Sequence, residues 1–95
     1  MTNINVASDG QLDTAISDGE SARALLQNTA LVKALHEIEA KATEAMIEAQ
    51  NPDEREAKWY ITRAIRELKK QLLTTANAGT AAKDTKAKRV KNGQK

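Results

Sequence analysis

Apolar side chains recur at alternating steps of four and three residues through the middle of this chain and lose that rhythm toward both ends. Leu31, Leu35, Ile38, Ala42, Ala45 and Ala49 keep the step, with Met46 widening the stripe, which predicts one buried face on a helix from Thr29 to about Gln50. The stripe starts large and ends small, so a partner helix could approach closely near Ala45 and Ala49. A second stripe of Ala57, Ile61, Ala64, Ile65, Leu68 and Leu72 predicts a helix from Pro52 to about Asn77, with Gly79 as its stop. Between them stands Asn51-Pro52-Asp53-Glu54: Asn caps, Pro takes the first helical position, and two carboxylates meet the positive end of the helix dipole. A connection of about two residues forces these helices into an antiparallel hairpin.

Upstream, Ser17 with Glu20 three residues on has the form of a capping box, and it predicts a short helix from about Asp18 to Gln27 carrying Ala22, Leu25 and Leu26. Asn28 is a good cap and a poor helix interior, so it predicts a break before Thr29. Residues 1–16 mix Asn, Ser, Asp, Gly and Thr with isolated Ile4, Val6, Leu12 and Ile16, and read as a disordered arm. Residues 80–95 read as a disordered basic tail. The expected class is all-α: an antiparallel helical hairpin over residues 17–79 with a short preceding helix, between two loose ends.

Charge sharpens this picture. Residues 1–51 carry three basic and eight acidic side chains, a net of −5, whereas residues 52–95 carry twelve basic and five acidic, a net of +7. Such a division points to an acidic partner for the second half, to association of opposite ends, or to both. The core material is thin: many of the apolar residues are alanine, Phe is absent, and Trp59 and Tyr60 are the only aromatics. Small domains bury little surface and alanine adds little to it. With no cysteine there is no disulfide or thiolate metal site to compensate. Oligomerisation is the remaining supplement, and the candidate self-association stripe is Leu31, Leu35, Ile38, Ala42 and Ala45 with Ile61, Ile65, Leu68 and Leu72.

On an ideal helical wheel the six basic residues between Pro52 and Asn77, namely Arg55, Lys58, Arg63, Arg66, Lys69 and Lys70, fall on one arc of about 140° with Trp59 in its middle. One reading is a surface for an acidic polymer, DNA above all, with Trp59 offered for stacking. The other pairs the arc with Glu37, Glu44 and Glu48 of the preceding helix, within the hairpin or between subunits, and covers Trp59 with Leu25 and Leu26. For a tryptophan in a small helical protein that packing is the default. Lys86, Lys88, Arg89 and Lys91 form a further basic cluster of the kind that binds nucleic-acid phosphate or serves as a nuclear-import address, and that also occurs as a solvated tail with no partner.

The sequence offers no catalytic constellation. His36 is the sole histidine, the carboxylates near it are not aimed at one point, and the four glycines, at positions 10, 19, 79 and 93, form no phosphate loop. The expectation is a protein without enzymatic activity, cofactor, metal or small-molecule substrate. No run reaches the roughly 18 apolar residues that span a bilayer, and the N-terminus does not read as a secretory signal.

The stretch from Ser21 to Ala82 resembles a group of small helical proteins encoded in the head and packaging gene clusters of tailed bacteriophages. Ala24, Leu25 and Leu26, the cap Asn28, Leu35 and Ile38 carry the resemblance, followed by Asp53-Glu54-Arg55-Glu56 with Trp59, Ile65, Leu68 and the closing Gly79. Where that group has a proline after the cap, this chain has Thr29. The resemblance implies a phage origin, a place in the cytoplasm of a bacterial host or in the virion, and a non-enzymatic part in building or filling the capsid, with DNA or other head proteins as partners. A nucleic-acid-binding accessory and a small inhibitor of a host protein are the alternatives.

Overall fold

A computed structural model describes residues 7–93. These residues form three helices, α1 (Asp9–Leu26), α2 (Thr29–Glu48) and α3 (Pro52–Gly93), so the class is all-α. The long axis of 68 Å is little more than α3 itself, whose 42 residues rise about 63 Å at 1.5 Å each. α2 runs antiparallel to the first half of α3. α1 runs antiparallel to its second half, as the pairing of Glu20, Asp13 and Asp9 with Lys83, Lys86 and Arg89 shows. α1 and α2 therefore form one broken rod laid along one continuous rod.

The breaks fall where the caps put them. The Asn28 side chain accepts from the Leu31 N–H at 2.9 Å, and Asn51 accepts from the Glu54 N–H at 2.9 Å. The turn between α2 and α3 is Ala49–Asn51, as the hairpin expectation required.

The ends depart from expectation. The first helix starts at Asp9, not near Asp18: its capping box is Ser8 with Gln11, at 3.1 Å and 2.8 Å, and Ser17 is interior. Only residues 1–6 of the expected disordered arm lie outside the described residues. Gly79 does not stop α3, which runs on to Gly93, so residues 80–93 of the expected disordered tail are helical; residues 94–95 lie outside the described residues.

One cause explains both departures. Leu12, Ala15, Gly19, Ala22 and Leu26 form a seam on α1 at steps of three and four, and it meets Leu72, Ala76, Gly79 and Ala82 on α3. Glycine and alanine make this seam nearly invisible as hydrophobic periodicity, yet they let the two backbones touch. A Cβ built on Gly19 would lie 2.6 Å from the Gly79 Cα, and one built on Gly79 would lie 2.7 Å from the Gly19 Cα. Gly79 is helical, with no positive φ among the described glycines, so its role is close approach and not termination. Arg23 fastens the same crossing by donating to the Ala76 carbonyl at 3.3 Å and to the Thr80 hydroxyl.

The buried apolar set is small: Leu12, Ala22, Leu35, Ala42, Ala76 and Ala82, none of them fully enclosed. Among the described residues no second layer of helices covers either face of the paired rods.

Candidate functional site

The six cations of the first half of α3, from Arg55 to Lys70, do not act as one surface. Arg66 and Lys69 both close on Glu39 of α2, each at 2.9 Å. Two charge-assisted hydrogen bonds favour the ionised carboxylate, and they hold Glu39 down at about 2. The within-hairpin pairing is thus real but uses Glu39, whereas Glu37, Glu44 and Glu48 have no ion-pair partner among the described residues. A signal for Glu39 was present. It lies four residues after Leu35 and three before Ala42, so it sits at the edge of the seam; Lys69 stands in the same relation to Ile65 and Leu72 on α3.

Arg55, Lys58, Arg63 and Lys70 form no ion pair among the described residues. Arg55 reaches the Ala49 carbonyl at 3.5 Å, a long contact at the C-terminal end of α2. The Arg63 guanidinium lies 5.4 Å from the centroid of the Trp59 ring, within cation–π range. Tyr60 meets the same indole edge-on at 5.1 Å.

Trp59 is 43% exposed, so the expectation that Leu25 and Leu26 cover it is corrected. Those leucines line a hollow with Val32, Leu35, Leu72 and Leu73, three helical turns and more from Trp59. α1 docks on the far half of α3 and never reaches the indole.

The second basic cluster is split as well. Lys86 pairs with Asp13, which pushes the Lys86 ammonium above its ordinary value, and Arg89 pairs with Asp9 at 3.2 Å. Lys83 approaches Glu20 at 3.7 Å. Lys88 and Lys91 have no ion pair among the described residues. α1 is thus an acidic strip laid along the basic end of α3, a role hidden while residues 1–16 read as disordered.

The self-association stripe also divides. Leu35 and Ala42 are buried within the subunit, and Leu31, Ala45, Ile65 and Leu72 are half-buried in the same seam. Ile38, Ile61 and Leu68 remain exposed.

Among the described residues no group of His, Cys, Asp or Glu could hold a metal ion, and no helix is long and apolar enough to cross a membrane. Every buried side-chain polar atom among them has a hydrogen-bond partner. His36 lies in a shallow depression on the outside of α2 with Glu39, Ala40 and Thr43. No family model, curated protein or solved structure matches this chain.

Proposed function

We propose that the chain is a phage-encoded, non-enzymatic helical adaptor that self-associates and acts in head assembly or DNA packaging. The observation that carries the self-association is an inverted apolar balance. Among the described residues ten large apolar or aromatic side chains are exposed, including Ile38, Ile61, Leu68, Leu73 and Trp59, while Leu12 and Leu35 are the only large ones in the buried core. A lone soluble domain rarely leaves so much apolar surface open. The phage setting comes from the resemblance across Ser21 to Ala82. Sedimentation velocity is expected to give a mass that rises with concentration; a constant 10.3 kDa, one chain, removes the reading. A nonsense mutation in the gene of the parent phage is expected to leave unfilled or aberrant heads, and a normal yield of filled heads removes the assembly role.

A second reading, a nucleic-acid-binding accessory, is favoured by one observation: Arg55, Lys58, Arg63 and Lys70 lack ion-pair partners beside a half-exposed Trp59. It expects DNA affinity that falls steeply with salt and weakens for every sequence when residues 80–95 are deleted. It also expects Trp59 fluorescence that quenches on adding DNA. Fluorescence indifferent to DNA at low salt rules it out.

A further inference from the structure

α2 and the first half of α3 lie side by side in a layer one helix thick, and the free edge of α3 differs in charge from the face beside it. At about 100° per residue, Asp53, Glu56, Tyr60, Ala64 and Glu67 fall on that edge, opposite the buried Thr62. Among the described residues the edge carries three carboxylates and no cation. Arg63, Arg66 and Lys70 turn instead onto one flat face with the half-exposed Trp59. Between the two helices of that face lies a hollow of about 300 Å3, lined by Thr43 and Met46 of α2 and by Trp59, Arg63, Arg66 and Glu67 of α3. That volume is at the small end of the range for ligand clefts. Glu39 satisfies Arg66 only in part, since Lys69 shares the same carboxylate, and Arg63 and Lys70 have no ion-pair partner among the described residues.

We propose that this hollow takes one unstacked base of a single-stranded nucleic acid, laid on Trp59, while the strand runs along α3 with its phosphates on Arg63, Arg66 and Lys70. The proposal rests on the nucleic-acid reading and assigns it a site and a strand form. Shape and charge select a single strand over a duplex. The face is two helices wide, about 20 Å, whereas a major groove opens only about 12 Å. The part of α3 narrow enough to enter a groove is its free edge, where Asp53, Glu56 and Glu67 repel phosphate. A duplex lying flat on the face would bring only sugars and phosphates to Trp59, because its bases are already stacked on one another. An unpaired base has a π-face to offer. From Trp59 to Lys70 the helix rises about 16 Å, room for a strand of a few nucleotides. On binding, Arg63 leaves the indole, 5.4 Å away, for a phosphate, which exchanges a cation–π contact for an ion pair and frees the ring. Glu67, at the corner between edge and hollow, works against the strand. Stacking and phosphate pairing do not read the 2′-hydroxyl, so DNA and RNA strands share this chemistry.

The test uses the full chain at low salt with a short labelled oligothymidylate, an oligouridylate and a duplex of equal length, read by anisotropy of the label and by Trp59 fluorescence. Both single strands are expected to bind alike, about tenfold or more tighter than the duplex, and to quench Trp59. Trp59→Ala is expected to weaken single-strand binding about tenfold and Trp59→Phe much less, each with helical circular dichroism retained. Arg63→Gln and Lys70→Gln are each expected to lower the salt slope by about one, and Glu67→Gln is expected to tighten binding. A duplex that binds as tightly and quenches as strongly overturns the strand assignment and leaves the nucleic-acid reading standing. Single-strand affinity unmoved by Trp59→Ala overturns the hollow and also leaves that reading standing. Strong preference for one sugar overturns stacking and charge as the whole of the recognition. No binding and no quenching by any of the three overturns this proposal and the nucleic-acid reading together.

Discussion

Gly19 and Gly79 touch across the α1–α3 crossing, where helix propensity and packing pull in opposite directions. Replacing glycine by alanine inside a helix ordinarily gains up to about 1 kcal/mol. Here the new methyl would stand 2.6 Å from backbone that no rotamer change can clear, so Gly19→Ala is expected to lose roughly 1–3 kcal/mol. Thermal unfolding followed by circular dichroism reads the sign directly, and a raised Tm would show that the crossing is looser than described. Glu39 supplies the second test at this scale. Its carboxyl is held at about 2, well below its ordinary 4.5, by Lys69 and Arg66. A group depressed on folding stabilises the native state fully above its unfolded value and loses that contribution as pH falls through the folded one. Between pH 4.5 and 2 the wild type is therefore expected to lose urea resistance, and Glu39→Gln is expected to show a flatter loss over that window. Parallel curves for the two proteins would deny the pairing.

α3 is the element that departs furthest from its own sequence. Read alone, residues 77–93 offer alanines, two glycines and five basic side chains against Asp84, too little apolar surface to hold a helix. α1 changes their environment by laying Ala22 and Leu12 over Ala76 and Ala82 and by setting Glu20, Asp13 and Asp9 against Lys83, Lys86 and Arg89. Removing residues 1–27 takes away the cover and the counter-charges together and leaves like charges crowded at helical spacing. That truncated chain is expected to keep the α2–α3 hairpin and to lose amide exchange protection from about Ala76 onward. Unchanged protection through residues 80–93 would mean that alanine propensity alone sustains the rod. The caps at Asn28 and Asn51, by contrast, were legible residue by residue, because a cap is a local contest between one side chain and the backbone groups beside it.

Across the whole molecule, the acidic first half lies antiparallel against the basic second half, so part of the charge asymmetry is spent inside the subunit. The pairs are mostly solvent-exposed, which limits what each contributes and makes it sensitive to salt. Raising ionic strength is expected to produce a small fall in Tm that levels off once these pairs are screened; a rise with added sodium chloride would indicate that repulsion among the free cations outweighs them. The same accounting explains why the basic arc was only half legible. Helical periodicity placed all six cations together, but only the docked α2 could show that Arg66 and Lys69 belong to Glu39 and that Trp59 stays open.

The sequence by itself determined the all-α class, the break at Asn28 and the reversal at Pro52, because caps and proline act within one helical turn. Of the predicted stripes it placed Leu31, Leu35, Ile65 and Leu72 in the hairpin seam, while Ile38, Ile61 and Leu68 stay exposed. The reach of α1 and α3 was decided only in three dimensions. Their contact is built from glycine, alanine and opposite charges, whose value depends on how near another backbone comes, and that distance is a property of two segments some sixty residues apart in sequence.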